Sequence, residues 1–222
     1  MGSTIDGRII AEHWGNSREQ FGKLYEDCHN SYKSQAWMVG RVTMEKDFTE
    51  GRKPQLGKQS VKISRTHYVG DPSASSFAIA VDPSGKLGWN SNEIDGDHVI
   101  EILTESVSDE YLQHLQDNEV SYVFAGKDQI DFRIALEQLY SIFKIETLML
   151  EGGGHINGSL LSTGLIDELS ILILPLADGI AKTPTTFEIT GDTLRAKATH
   201  LRLADVKKLE HDVIWLKYSV TN

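Results

Sequence analysis

Apolar residues fall into short runs that close on glycine or a polar residue, and stretches of helical spacing separate them. The runs "AWMVG" (36–40), "FAIAVD" (77–82), "HVIEIL" (98–103), "SYVFAG" (121–126) and "IETLML" (145–150) predict buried strands. "REQFGKLYEDCHNSYK" (18–33) spaces Phe21, Leu24, Tyr25 and Cys28 as one face of a helix. "SDEYLQHLQDN" (108–118) predicts a second helix, with Ser108 as N-cap and Asp109 and Glu110 favourably placed in its first turn. "DFRIALEQLYSIFK" (131–144) puts Phe132, Leu136, Leu139, Tyr140 and Phe143 on one side of a third helix. "HINGSLLSTG" (155–164) reads as a short helix closing at Gly164, and 50–76 as polar loop with one strand at 61–64.

Strands and helices that alternate in this way predict crossover units on a parallel sheet. The end of the chain differs. "ELSILILPL" (168–176), "THLRLADVKKL" (199–209) and "DVIWLKYSV" (212–220) are long strands without helices between, and only Glu210 and His211 separate the last two, which predicts a hairpin. The expected fold class is therefore α/β. A single domain over 1–222 would hold one mixed, mostly parallel central sheet with an antiparallel C-terminal hairpin and helices on both faces.

Charge narrows what such a domain can bind. The 222 residues carry a formal net charge of −10, which argues against a broad nucleic-acid or anionic-membrane surface. Any bound phosphate must be held by a local device. The single cysteine, Cys28, allows no internal disulfide and is expected at the surface or half-buried. No apolar run approaches bilayer length and no signal-like segment stands out, so a cytoplasmic location is expected, with no membrane and no metal.

"LMLEGGGHINGSLL" (148–161) is the stretch with a candidate local device. A strand that runs through Glu151 into Gly152, Gly153 and Gly154, and then into a helix, presents backbone N–H groups at a helix N-terminus, which can bind phosphate without a basic side chain. The run could equally be a plain strand-to-helix turn. "WMVGRVTMEKDF" (37–48) repeats the arrangement, with Gly40 ending a strand and Thr43 at the mouth of a possible helix, where it either caps the helix or meets a ligand oxygen.

Together with "STIDGRI" (3–9), "AWMVGRVTM" (36–44) and "VSYVFAG" (120–126), the long segment "LMLEGGGHINGSLLSTGLIDELSILILPLADG" (148–179) resembles the reductase domain of riboflavin biosynthesis, a branch of the dihydrofolate-reductase-like fold. The resemblance implies an NADPH-dependent reductase, usually a homodimer, that delivers hydride to a small, often pyrimidine-bearing substrate. In that pathway a ribosylamino group becomes a ribitylamino group. By motif, Gly40, Thr43, Gly152, Gly153, Gly154, His155 and Asn157 would lie along the cofactor. Asp82 of "VDPS" would lie near the adenosine ribose and Thr104 near the adenine. Glu151 and Asp6 would serve the reacting centre, and Arg8 and Asp47 the substrate. Arg65 of "ISRTH" comes one strand too early for the cofactor's 2′-phosphate and is expected as a solvated loop residue.

The chain also departs from the family pattern. Ser31 stands where the riboflavin enzymes carry an arginine toward the substrate phosphate, and "KDFTEGRKPQLG" replaces their usual continuation after the second glycine site. A dihydrofolate- or pterin-type reductase and a non-catalytic nucleotide-binding protein are the alternatives on the same fold.

Overall fold

A three-residue strand, β1 (Gly2–Thr4), opens the chain, followed by 3-10 turns over Ala11–Ser17 and helix α1 (Arg18–Asn30). The computed structural model describes residues 1–57, 62–189 and 198–221. The chain divides into two compact units, Met1–Lys33 with Gly152–Asn222, and Ser34–Glu151. The chain leaves the first unit just after α1 and returns to it at the glycine run.

The unit Ser34–Glu151 contains β2 (Ala36–Gly40), α2 (Arg41–Asp47), β3 (Phe77–Val81), β4 (Glu93–Ile94), β5 (Asp97–Leu103), α3 (Asp109–Asp117), β6 (Ser121–Phe124), α4 (Phe132–Phe143) and the start of β7 (Leu148–Gly152). Five of the six strands predicted for this stretch are present. Residues 62–64 are irregular and not strand, and residue 61 lies outside the described residues. The sheet order is β4-β5-β3-β2-β7, with β6 also on β5. Strands β2, β3, β5 and β6 pair with one another in parallel, in the register Gly40↔Val81, Val81↔Ile102 and Leu103↔Phe124, and the short β4 is antiparallel to β5. Their carboxyl ends therefore stop together along one edge of the sheet.

Both faces of these strands are covered, which is why they read as continuous apolar runs. Ala78, Ile79, Ala80, Val99, Ile100 and Ile102 are fully buried, and the strand core packs on Tyr111, Leu112 and Leu115 of α3. Helix α3 starts as its sequence predicts, since Ser108 Oγ accepts from Tyr111 N at 3.2 Å. Asp131 caps α4, accepting from Arg133 N and Ile134 N at 2.9 and 3.3 Å. The buried stripe of α4 is Ala135 and Leu139, and Tyr140, predicted on the apolar face, is 58% exposed. The one-turn spacing of Ala135 and Leu139 sets the contact line and rotates Tyr140 outward.

The other unit adds α5 (Gly154–Ser162), β8 (Glu168–Leu174), β9 (His200–Lys208) and β10 (Ile214–Thr221). Its four-stranded sheet has the order β1-β8-β10-β9, parallel between β1 and β8 and antiparallel elsewhere. The predicted parallel centre and antiparallel hairpin thus both exist, carried by separate sheets. Residues 209–213, and not two residues, connect β9 to β10, with His211 and Asp212 at φ of 56° and 57°. Helix α1 lays Phe21 and Cys28 on Leu172, Leu174 and Trp215. Cys28 is accordingly buried, and burial pushes its thiol above the usual range.

Removing a cap should cost stability without altering either sheet. Ser108→Ala and Asp131→Ala are each expected to cost about 1 kcal/mol, a fall in Tm of roughly 2–4 °C in a chain of this size, measured by thermal unfolding of the variants.

Candidate functional site

The glycine run has three different local reasons. Gly152 closes β7 at φ +121°, a conformation that disfavours a side chain, and a Cβ there would also meet Met1 Cε. The Gly152–Gly153 peptide is cis, and Gly153 is the N-cap of α5 at φ −69° and ψ −171°. Gly154 opens the helix, and a Cβ on it would strike the carbonyl oxygen of Thr185. One turn later, a Cβ on Gly158 would come within 2.8 Å of Glu188 N and closer still to its carbonyl.

A segment of the chain's own backbone, 183–188, therefore lies directly on the glycine face of α5. Polar contacts fix it there. Glu188 N donates to Gly154 O at 2.9 Å, and Asn157 Nδ2 donates to Thr186 O at 2.9 Å. Asn157 is 3% exposed, with its Oδ1 buried and unpaired. His155 stays exposed, with Nε2 at 3.3 Å from Glu188 Oε2.

The same segment holds the N-terminal loop. Thr186 N donates to Gly7 O at 3.1 Å, Ile9 N to Pro184 O at 3.3 Å, and Arg8 Nη1 to Thr183 O at 2.6 Å. Asp6 accepts from Thr4 Oγ1 at 2.6 Å and from the amides of Asp178 and Gly179 at 3.1 and 2.9 Å. These donors, the Thr4 hydroxyl foremost, hold its carboxyl well below the usual carboxylate range. Its oxygens tie two loops together, and Arg8 Nε stands 3.8 Å from Oδ2. Asp178 also accepts from His13 Nδ1 at 2.6 Å. Six of the expected positions, Asp6, Arg8, Gly152, Gly154, His155 and Asn157, are thus set around 183–188 or beside the loop it holds. Neither that segment nor His13 and Asp178 stood out in the sequence.

Apart from Gly153, the N-cap of α5, the remaining candidates lie in the unit Ser34–Glu151. Gly40 is the N-cap of α2 at φ −76° and ψ 159°, so Thr43 is not the N-cap and lies inside the helix. Asp47 ends α2 and is exposed. Glu151 is half-buried near the end of β7. Strand register brings Gly40, Asp82 and Thr104 to the same sheet edge. Asp82 and Thr104 are both fully buried. Asp82 Oδ2 accepts from Lys86 N and, at 2.9 Å, from Leu87 N, so its carboxylate shapes the turn over 82–87. Thr104 Oγ1 donates to Pro83 O at 2.7 Å, pinning the same turn from β5.

Arg65 is an exposed loop residue, as expected, and it is also a staple. It donates to Glu105 O at 2.9 Å, Val107 O at 2.8 Å and Ile63 O at 2.8 Å, and pairs with Asp109 at the start of α3. The loop carbonyls that draw it in are about forty residues away along the chain, invisible to any local pattern. Among the described residues no cluster of three or more His, Cys, Asp or Glu side chains is arranged to hold a metal, and no helix is long and apolar enough to cross a membrane.

What such a chain is similar to follows from comparison. A curated relative, the 2,5-diamino-6-ribosylamino-4(3H)-pyrimidinone 5′-phosphate reductase of Methanothermobacter thermautotrophicus, is 34% identical over 118 residues, covering 53% of this chain and 53% of that protein. The chain spans about half the length of the curated relatives it matches. Its fold is shared with solved structures. A pyrimidine reductase-like protein from Corynebacterium diphtheriae superposes with a TM-score of 0.65 at 17% identity, covering all of this chain and 90% of that one. Acinetobacter baumannii RibD superposes with a TM-score of 0.65 at 20% identity, covering all of this chain and 56% of that one. Residues 1–215 match the family model described as the RibD C-terminal domain, a span that takes in every candidate residue above, and the chain belongs to that family.

Proposed function

We propose that this protein is an NADPH-dependent reductase that converts a phosphorylated ribosylaminopyrimidine to its ribitylamino form, the substrate class in the name of its Methanothermobacter relative. The observation that carries the proposal is the corner where β7 ends on Gly152 and Gly153 caps α5. The N-cap there has no side chain, whereas Ser108 and Asp131 occupy the corresponding positions of α3 and α4. Helix N-termini left to backbone donors suit phosphate oxygens, which answers the difficulty set by a net charge of −10.

The residues present fit a dinucleotide. Gly40 gives α2 the same side-chain-free start, and Asp82 and Thr104 stand on the same sheet edge, where ligands of open α/β sheets bind. In this reading Gly40, Thr43 and the turn over 82–87 are assigned to the cofactor within the unit Ser34–Glu151, and Gly153, Gly154, His155 and Asn157 are assigned to it by their motif in the other unit. Asp82 acts there by shaping the turn, since its carboxylate is turned toward the backbone of Lys86 and Leu87. The nicotinamide supplies the hydride.

The chain's own groups orient the acceptor. Glu151 is assigned to the reacting centre and Asp47 to the substrate. Asp6, whose oxygens already serve Thr4, Asp178 and Gly179, holds the loop that presents Arg8. Ser31, in the place of the family's arginine, donates to Cys28 O at 2.7 Å and closes α1, so recognition of the substrate phosphate passes to other groups, Arg8 first among them. Part of the rate comes from holding donor and acceptor carbons in contact.

A homodimer is supported by β9, an edge strand on which Leu201, Leu203 and Val206 are 41–53% exposed. The single buried cysteine accords with a cytoplasmic location.

Three measurements test this. NADPH should raise Tm, since a ligand at a hundred times its Kd stabilises by about 2.7 kcal/mol, and NADH should raise it less. Absence of a shift with either at millimolar concentration would refute the cofactor assignment. Gly153→Val, at a φ that valine tolerates, should keep Tm and lose NADPH binding. Gly154→Val should lower stability by about 1–3 kcal/mol by driving its side chain into Thr185 O. If Gly153→Val binds NADPH as the wild type does, the run is only a turn.

A further inference from the structure

Glu101 sits in the middle of β5, in an otherwise apolar strand, and is fully buried. Its Oε1 accepts from Trp89 Nε1 at 2.5 Å, and the Tyr111 hydroxyl lies 2.8 and 2.9 Å from its two oxygens. The same hydroxyl is 3.1 Å from Leu87 O and 3.5 Å from Asp82 Oδ2. Asp82 is also fully buried, and its Oδ1 has no partner. Among the described residues no lysine, arginine or histidine pairs with either carboxyl. His114 of α3 accepts from Trp89 N through Nε2 at 3.1 Å, and burial holds it below the usual histidine range.

Two carboxylates out of water without a cation are prohibitive unless one keeps a proton. The hydrogen-bond inventory says which. Asp82 Oδ2 already accepts two backbone N–H groups, the pattern of an ionised carboxylate. Glu101 Oε1 accepts from the indole, which leaves Oε2 to carry the proton. With its proton on Oε2, Glu101 donates to Tyr111 Oη, and Tyr111 is then free to donate to Leu87 O and toward Asp82.

We propose that Glu101 is a neutral carboxylic acid and a positioning residue: through Tyr111 and Asp82 it sets the turn over 82–87 that, in the function proposed above, receives the adenosine half of the cofactor. If Glu101 were ionised, Tyr111 would have to donate back to it. Leu87 O would then lose its donor, and two anions would face each other in a dry cluster. Burial, with Asp82 second, raises the Glu101 carboxyl well above its usual range of about 4.5, in accord with this arrangement. The consequence for folding has a definite sign. Above that usual value the unfolded chain releases the proton and the folded chain keeps it, so this group makes stability fall as pH rises.

Glu101→Gln places an amide in the same geometry, accepting from Trp89 and donating to Tyr111. It should keep NADPH KM and kcat within twofold of wild type at pH 7, and its Tm should fall less steeply than the wild type's between pH 5 and 8. Tyr111→Phe should raise NADPH KM about tenfold with kcat kept within twofold, and speed amide hydrogen exchange of Lys86 and Leu87 at least tenfold. The proposal is overturned if Glu101→Gln weakens NADPH binding tenfold, if the two Tm–pH curves run parallel, or if Tyr111→Phe leaves KM and exchange unchanged. Should Glu101→Gln fail to fold, carboxyl-carbon NMR of glutamate-labelled wild type decides the protonation. One glutamate still protonated at pH 7 supports the assignment, and all ionised refutes it. Failure of wild type to bind NADPH would remove the cofactor role and the proposed function with it, while the Tm and exchange data would still decide the proton and the turn.

Discussion

Backbone lying directly on a helix is the constraint on which the unit of β1, α5 and the C-terminal strands depends. The carbonyl of Thr185 and the main chain of Glu188 occupy the space where Cβ atoms of Gly154 and Gly158 would stand. That close approach lets Asn157 reach Thr186 O and Glu188 N reach Gly154 O. The other side of the same strip pairs with Gly7 and Ile9 and accepts from Arg8. A glycine-starved α5 would push the strip away, and the N-terminal loop would lose its partner. The glycines thus serve packing and candidate chemistry together: Gly154 and Gly158 admit the strip, Gly152 takes a backbone angle that disfavours side chains, and Gly153 starts the helix.

The second unit solves a different problem. Parallel strands in register bring Gly40, Asp82 and Thr104 to one edge without any contact between their side chains being needed. Polar groups behind that edge are buried and so must satisfy one another. Asp82 does so with the amides of its own turn and Thr104 with Pro83 O, while the exposed Arg65 ties down the carbonyls of 105 and 107 from outside. The acid of β5 joins them through Tyr111 and Trp89. An acidic protein assigned to bind an anionic cofactor therefore relies on backbone groups held in place by buried side chains, more than on surface cations.

Legibility from sequence followed the range of the interactions. Strands β2, β3, β5 and β6 and helices α3 and α4 were readable because burial on one or two faces imposes a local period. The strand β1 was not, since Gly2, Ser3 and Thr4 carry no apolar signal and are buried only by pairing with β8. The turn between β9 and β10 was underestimated because the left-handed angles fall on His211 and Asp212, which do not announce them. Among the site candidates, the glycines and the Asp6–Arg8 loop were found by motif. What Asp6 and Asp82 hold, what Arg65 staples and what covers α5 all depend on partners distant in sequence. Glu101, a lone acid in "HVIEIL", has no local pattern that marks it out and is completely enclosed.

The central claim is that this chain moves a hydride from NADPH to a ribosylaminopyrimidine. Incubating the protein with NADPH deuterated at the transferable position of nicotinamide C4 and a 5′-phosphorylated ribosylaminopyrimidine, then analysing the product by mass spectrometry and NMR, tests it most directly. The account predicts a ribitylamino product with one deuterium on the former anomeric carbon. A substrate recovered unchanged beside unoxidised NADPH, or a reduced product without deuterium, would contradict it.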